Sequence, residues 1–267
     1  MKKSNYFIVV FCLLILGFTS CVIREPEDKS TLTKGGYQLF TRFEADISEQ
    51  TRLFDKVLFL DKYINTPDSL KARFHNEYFD IYTLRFKQNI CNFVNLNNDT
   101  VYKVITDLHS IHATGAEWLI KSSNQTYLKV TCLQKNKWQL SVFKTHMTYS
   151  YYLNKSNLEL TCTDTIAPAL YQNANFEITG NAELIEDNYA SPVVINYLIE
   201  EPLKHNNTSV LFKDGLVTIT ANDSVHNRTA TTEARYINAI SPSVEIKFNG
   251  VTSTYGSSDV YSFNYDY

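Results

Sequence analysis

The first regular pattern in the chain is an apolar repeat of helical period that begins near residue 37. Its apolar side chains recur every three or four positions, which places them on one stripe of a helix: Phe40, Phe43, Ile47, Phe54, Val57 and Leu58. Thr66 and Pro67 then mark a new start, with Thr66 as N-cap and Pro67 at the first helical position. Within a helical segment at 37–78, the pattern predicts amphipathic helices at about 38–64 and 67–78.

From about residue 79 the period of the apolar positions changes to two, as in a half-buried strand. The clearest hairpin joins residues 126–133 to 137–144 through the polar loop at 134–136. Similar runs follow at 157–162, 175–180, 192–199, 210–212, 216–221, 229–236, 244–248 and 260–265. We therefore expect a mainly β (α+β) fold. Residues 79–267 would form an antiparallel β-sandwich or an extended β-meander, with the helices covering one face or plugging one end.

The chain begins with an apolar run that is too short to cross a membrane. Residues 6–18 are apolar and follow Lys2 and Lys3. As a helix this run would rise only about 20 Å, against a hydrocarbon core of about 30 Å. A positive start followed by a short apolar run is typical of an export signal that is cleaved.

The apolar run ends in the tetrapeptide Phe-Thr-Ser-Cys at positions 18–21. This ending resembles the lipobox of bacterial lipoproteins, in the loose form found in Bacteroidota, with Phe18 where Leu is usual. The resemblance implies a signal peptide at 1–20 and a lipid on Cys21, which becomes the first residue. Val22 rather than Asp follows the cysteine, which by analogy favours the outer membrane, with the periplasmic and surface faces both open.

The residues after the cysteine differ in composition from both neighbouring segments. Residues 22–36 are rich in charged side chains and end in Gly35 and Gly36. This composition is typical of a flexible tether. We therefore expect the segment 21–36 to hold the folded part of the chain away from the membrane.

The charge balance excludes one class of partner. The full chain has a formal net charge of −3, which becomes −5 when Lys2 and Lys3 leave with the signal peptide. No block of lysine or arginine is present, so the sequence supports neither nucleic-acid binding nor a polybasic contact with a membrane. We expect the membrane contact to be made through the lipid on Cys21.

Cysteine and histidine positions bear on metal and disulfide chemistry. Cys132 and Cys162 continue apolar alternations, so we expect both in the core with Cys91 as a further thiol, and a Cys132–Cys162 disulfide stays open as an alternative. His109 and His112 have a spacing that would share one helix face. However, no glutamate follows the first histidine and no third ligand is evident, so we expect no metal and no cofactor.

Candidates for ligand binding and catalysis are few. Trp118 lies near a loop edge, where an exposed indole would stack on a sugar ring, and it is the candidate ligand contact. Trp138 alternates with apolar residues and is expected in the core. Glycoside hydrolysis needs two carboxyl groups about 5 to 9.5 Å apart. Spacing in the sequence pairs none of the carboxylates considered for it: Glu117, Glu183, Glu186, Asp187, Glu200 and Glu201.

Four short motifs consist of Asp, then Ser or Thr, then an apolar residue, where composition alone predicts roughly one. The pattern resembles the O-glycosylation acceptor of exported Bacteroidota proteins. The resemblance implies glycans on the four acceptors Ser69, Thr100, Thr165 and Ser224. Asp-Ser and Asp-Thr are also typical of turns and helix caps, so a structural role is the alternative.

These observations favour a non-enzymatic, lipid-anchored protein of the cell outer membrane. Its β domain would bind a partner protein or a glycan. One alternative is a glycan-binding accessory lipoprotein of a polysaccharide-uptake system, for which Trp118 would be exposed. Another is a secreted glycoside hydrolase, for which two carboxylates would face each other in one cleft.

Overall fold

The computed structural model describes residues 31–79, 82–107, 109–122, 127–142, 145–147, 151–165, 174–186, 193–205, 212–223, 228–237, 243–248 and 251–256. The expected signal peptide at 1–20, Cys21 and residues 22–30 of the expected tether lie outside these ranges. So do Ser224, Asp187 and the strand expected at 260–265.

Two helices precede the sheet within the described residues, at positions close to those expected. Helix α1 spans Thr31–Ile64 and helix α2 spans Asp68–Phe79. Helix α1 begins earlier than the tether boundary expected at Gly36, because two glycines cost only about 1 kcal/mol each in a helix whose later turns are buried. The Thr66 hydroxyl donates to the Lys62 carbonyl at 2.7 Å and thus closes α1, whereas we expected it to cap α2. Neither described helix has an apolar stretch long enough to cross a membrane.

The remaining elements form one antiparallel sheet, so the mainly β class is confirmed. Each strand pairs with the next in the sequence, except that β6 pairs with β8 and β7 adds to β8 alone. Of the two architectures expected, the extended meander is therefore observed. The part of the chain that the structure describes contains fourteen strands: β1 (Thr83–Lys87), β2 (Ile90–Val94), β3 (Thr100–Ile105), β4 (Glu117–Ser122), β5 (Tyr127–Gln134), β6 (Lys137–Val142), β7 (Thr145–Met147), β8 (Tyr151–Cys162), β9 (Phe176–Glu186), β10 (Val193–His205), β11 (Gly215–Asp223), β12 (Arg228–Ile237), β13 (Ser243–Phe248) and β14 (Val251–Gly256).

The two faces of the meander differ in chemistry. Strands β4, β5 and β6 alternate between buried and half-buried residues along their length, so one face is turned to the core. The opposite face carries ion pairs between strands, such as Lys129–Glu117 at 2.9 Å and Lys247–Glu233 at 3.3 Å. A single sheet with one apolar face needs another element to cover that face.

Helix α1 is the element that covers the apolar face. Its side chains contact the sheet in a regular sequence as the helix advances. Phe40 packs on Tyr236 of β12, with ring centroids 6.1 Å apart, and Phe43 packs on Tyr197 of β10, at 5.0 Å. Later in the helix, Phe54 packs on Trp138 of β6, at 5.4 Å. The meander therefore wraps diagonally around α1 and encloses most of the surface of its second half.

The long central strands bend where their pairing is irregular. The register shifts between Leu153 and Lys155 in β8 and between Ile199 and Leu203 in β10. Bulges of this kind bend a strand and increase its twist. Gly180 of β9 has φ +121°, and a Cβ there would overlap the carbonyl oxygen of Asn157 on β8. Only glycine fits at this close approach, so Gly180 helps the sheet to curve around the helix.

The three described cysteines are buried in or beside the core. Cys132 and Cys162 lie on the inner face of their strands, as expected, and both are free thiols, as is Cys91. The Cys132–Cys162 disulfide is therefore not formed. Burial raises the pKa of the Cys91 thiol to about 12, which keeps it protonated and unreactive.

A buried polar network fixes the register of α1 against the sheet. Tyr197 of β10 donates to Asp46 Oδ2, and Gln50 Nε2 donates to the same oxygen at 2.8 Å. The Ser156 hydroxyl on β8 donates to Gln50 Oε1 at 2.9 Å and accepts from the Val142 amide at 3.3 Å. Because a buried polar group without a partner is costly, sliding α1 along the sheet would break several of these bonds at once.

We expect this network to make stability depend on pH through Asp46. Burial raises the pKa of Asp46 to about 7, so its folded state holds a proton that the unfolded chain, with its ordinary value near 3.8, releases. The stability that Asp46 contributes is therefore greatest below pH 4 and is lost as pH rises to about 7. Urea denaturation at several pH values measures this effect. As pH rises from 4 to 7, the free energy of unfolding of Asp46→Asn should increase relative to that of wild type, by up to about 1.4 kcal/mol per pH unit.

The control for this prediction is Asp68→Asn. The ion pair with Lys71 lowers the pKa of the exposed Asp68 carboxyl, which is the opposite direction. Relative to wild type, Asp68→Asn should therefore show no gain in stability as pH rises. A constant difference between wild type and Asp46→Asn from pH 4 to 7 would contradict the role assigned to Asp46.

Candidate functional site

An open cleft of about 590 Å³ lies at the C-terminal end of α1. The end of α1 and the start of α2 form one wall. The turn between β1 and β2 and the connection between β3 and β4, at 106–116, form the other walls. This volume lies within the range of small-molecule sites, about 300–1,000 Å³.

Three of the hydrogen bonds that hold the β3–β4 connection in place come from buried side chains. The indole Nε1 of Trp118 donates to the His109 carbonyl at 3.1 Å, and that of Trp138 donates to the Ile111 carbonyl at 2.9 Å. The buried carboxylate of Asp61, near the end of α1, accepts from the Ile111 amide at 3.0 Å. Helix α1 and two inward-facing tryptophans therefore fix this wall of the cleft before any ligand binds.

The exposed aromatic platform expected at Trp118 is not observed. Trp118 faces inward from β4 and is only 2% exposed, although it contributes to the cleft wall. Trp118 alternates with Ile120, which is also buried, so the strand places both side chains on the core face. Trp138 lies in the core, as expected, and is fully buried.

A different aromatic side chain is exposed in the cleft. Phe86 of β1 is 50% exposed and lies almost parallel to Tyr63 of α1, with centroids 6.1 Å apart and planes inclined by 7°. Tyr63 stacks in turn on the fully buried Phe59, at 6.1 Å and 24°. The ammonium of Lys71 lies 5.7 Å from the centre of the Tyr63 ring. Three stacked rings therefore run from the core to the surface of the cleft.

The charged side chains around the cleft already have partners within the chain. His109 Nδ1 lies 3.6 Å from Asp107 Oδ1, and Lys71 Nζ lies 2.7 Å from Asp68 Oδ1. His112 Nε2 lies 3.7 Å from the buried Asp61 carboxylate. Burial lowers the pKa of His112, against the opposing effect of Asp61, so burial favours the neutral imidazole.

The two histidines lie in the β3–β4 connection rather than on a helix. Their spacing therefore does not place them on one helical face. In the part of the chain that the structure describes, no group of three or more His, Cys, Asp or Glu side chains is arranged to hold a metal ion.

The described carboxylates considered for hydrolysis are spread over several strands. Glu117 lies 2.9 Å from Lys129, and Glu183 lies 3.5 Å from Lys155. Glu201 accepts two hydrogen bonds from Arg235, at 2.9 and 3.0 Å. Glu186 ends β9 and Glu200 is exposed on β10. The four whose side chains the structure describes, Glu117, Glu183, Glu200 and Glu201, do not line the cleft.

The three described acceptors of the Asp-Ser/Thr motif are exposed. Ser69 lies in the first turn of α2, Thr100 begins β3 and Thr165 follows β8. Two of the preceding aspartates also hold turns: the Asp99 amide donates to Asn95 Oδ1, and Asp164 accepts two hydrogen bonds from Asn175. Both the modification and the structural alternative fit this geometry.

Comparison of the chain with protein-family models, with curated proteins and with solved structures finds no match. The cleft and the sequence at the amino end are therefore the two features that bear on function. Sequence analysis did not identify Phe86 or Tyr63 as site residues. Phe86 belongs to an alternating run, but nothing in the run itself distinguishes an exposed ring from a buried one.

We expect Asp61 to be necessary for the order of the cleft wall. Asp61→Ala removes the acceptor for the Ile111 amide and leaves that buried donor without a partner, at a cost of about 1–3 kcal/mol. Hydrogen exchange measured by mass spectrometry should show faster exchange in residues 109–116 and little change in β8–β10. Glu233→Ala, which removes an exposed ion pair on the outer face, is the control and should change neither region. Unchanged exchange of 109–116 in Asp61→Ala would contradict this role.

Proposed function

We propose that this protein is a non-enzymatic, lipid-anchored protein of the cell outer membrane that binds a glycan or a partner protein. The anchor is supported by the lipobox-like sequence at 18–21, with Cys21 as the lipidated residue. The binding role is supported by the cleft at the end of α1. No nucleic acid, metal or cofactor is part of the proposal.

The observation that carries the binding role is that the cleft is already formed in the folded chain. Its walls are fixed by Asp61, Trp118 and Trp138, which all bond to the backbone of the β3–β4 connection. A ligand that enters a fixed cleft does not need to order its walls, so less of its binding energy is lost. Phe86 is half-exposed and does not belong to the buried core, so its ring presents apolar surface in the cleft.

A second candidate is a glycan-binding accessory lipoprotein of a polysaccharide-uptake system. It is favoured by the chemistry of the cleft, which combines an aromatic ring with amide and hydroxyl side chains. In this candidate Phe86 takes the stacking role that the sequence suggested for Trp118. Glycans on Ser69, Thr100, Thr165 and Ser224 are a separate part of the proposal and concern the protein's own modification.

The anchor is tested by replacing the lipidated cysteine. In a Bacteroidota host fed an alkyne-labelled fatty acid, wild-type protein should carry the label and sediment with the outer membrane. Cys21→Ser should lose the label, because no thiol remains at the lipobox position. It should also leave the membrane fraction, because in the proposal all of the acyl chains that hold the protein to the membrane are on Cys21.

The matched control is Cys12→Ser, which changes a cysteine inside the apolar run. This residue is discarded with the signal peptide in our proposal, so labelling and sedimentation should equal those of wild type. A labelled, membrane-bound Cys21→Ser protein would contradict the proposed anchor, as would loss of label in Cys12→Ser with normal export.

A further inference from the structure

The stacked rings Phe59, Tyr63 and Phe86 end in a half-exposed aromatic surface inside a cleft. Phe59 is fixed in the core, and Tyr63 is held between Phe59 and Phe86 with Lys71 above it. Phe86 therefore does not need to be ordered when a ligand arrives. A fixed, half-exposed ring is an apolar surface of defined position, and its burial by a ligand contributes to binding.

Five neutral polar side chains line the cleft together with Phe86. Gln88 and Asn89 form the turn between β1 and β2, and both side chains are exposed. Asn65 follows α1, and Thr106 and Ser110 lie on the β3–β4 connection. Several of these groups also bond within the chain: Asn65 Nδ2 donates to the Asp61 carbonyl, Asn89 Nδ2 to the Thr106 carbonyl, and the Thr106 hydroxyl to the Asn89 carbonyl. Each amide still has its oxygen and a second N–H, and each hydroxyl accepts as well as donates, so these groups suit a ligand that has many hydroxyl groups.

The charged groups of the cleft do not select a charged ligand. Asp107 lies beside His109, and Lys71 lies beside Asp68. Asp61 is buried and accepts from the Ile111 amide. Because Lys71 pairs with Asp68, and Asp61 is buried with the Ile111 amide as its donor, these two groups offer a charged ligand little in exchange for the hydration it would lose.

From this arrangement we propose that the cleft is a binding site for a neutral oligosaccharide. One sugar ring packs its C–H face on Phe86, and its hydroxyls bond to the amide and hydroxyl side chains of the rim. This inference rests on the proposed binding function and names its ligand class and the residue that carries the contact.

A protein partner would need a different surface. The core of a protein interface is apolar and is sealed from water, whereas exposed amides surround Phe86 here. Ile64 and Leu70 are exposed nearby, at 41% and 52%, but Leu70 does not line the cleft. The cleft therefore fits the mixed surface of a sugar better than an apolar side chain of a partner.

The experiment uses full-length lipoprotein in detergent micelles and a panel of neutral hexasaccharides of β-1,4-glucose, β-1,4-xylose, β-1,4-mannose and α-1,4-glucose. Binding is measured by titration calorimetry in all variants. In wild type, Phe86→Ala and Leu198→Ala it is also followed by tryptophan emission, to which Trp118 of the cleft wall and the buried Trp138 both contribute. The variants are Phe86→Ala, which removes the ring, and Phe86→Trp, which restores an aromatic face. The control is Leu198→Ala, at an apolar side chain on β10 that is 44% exposed and lies outside the cleft.

The proposal expects at least one hexasaccharide to bind. Phe86→Ala should weaken it about tenfold or more, while Phe86→Trp and Leu198→Ala should stay within about threefold of wild type. All variants should unfold at the wild-type temperature within a few degrees, since Phe86 is half-exposed on a short edge strand. The sugar should be recovered at its original length.

Three results would overturn the proposal. Binding that is equal in Phe86→Ala and wild type would place the glycan site elsewhere and leave the proposed function intact. No binding of any hexasaccharide to folded, lipidated protein would remove the carbohydrate ligand, and a protein adduct from a photocrosslinker at position 86 would then identify a protein partner. Shortened sugar products would contradict the non-enzymatic function itself.

Discussion

The enclosure of α1 by the meander is the interaction on which the rest of the structure depends. A single antiparallel sheet has one apolar face, and in a sandwich a second sheet would cover it. Here one helix does so, through aromatic contacts that pass from β12 to β6 as α1 advances from Phe40 to Phe54. Without α1 the inner face of the sheet would lie open to water, so helix and sheet are stable only together.

The same enclosure determines where a cleft forms. Because the sheet wraps α1 diagonally, the last turn of the helix emerges beside β1 and the β3–β4 connection. Asp61 and Tyr63 lie in this last turn. Asp61 bonds to the β3–β4 connection, and Tyr63 stacks on Phe86 of β1, so each contacts a different wall of the cleft. The cleft is therefore a consequence of how the helix ends, and the side chains that shape it are continuous with the core.

Much of the fold could be predicted from the sequence, and particular residues explain the rest. Helix α1 and the β5–β6 hairpin have long, regular apolar periods, and both are observed. Strands β2, β3 and β4 were not predicted, because runs of five or six residues show little periodicity, and the turns that lead into β2 and β3 lack the usual glycine. Gln88 and Asn98 adopt left-handed conformations there, with φ 54° and 67°. In the cleft, Tyr63 of α1 packs on Phe86 of β1. This contact is between two separate elements, so no local sequence pattern predicts it.

Helix α1 is the core around which the sheet is built, and hydrogen exchange of the protein tests this most directly. Peptides that cover residues 53–61 of α1 should exchange as slowly as those from β8, β9 and β10, because helix and sheet open only in one cooperative unfolding step. Fast exchange of residues 53–61 while the strands remain protected would show a helix that is only loosely attached, and would contradict the account.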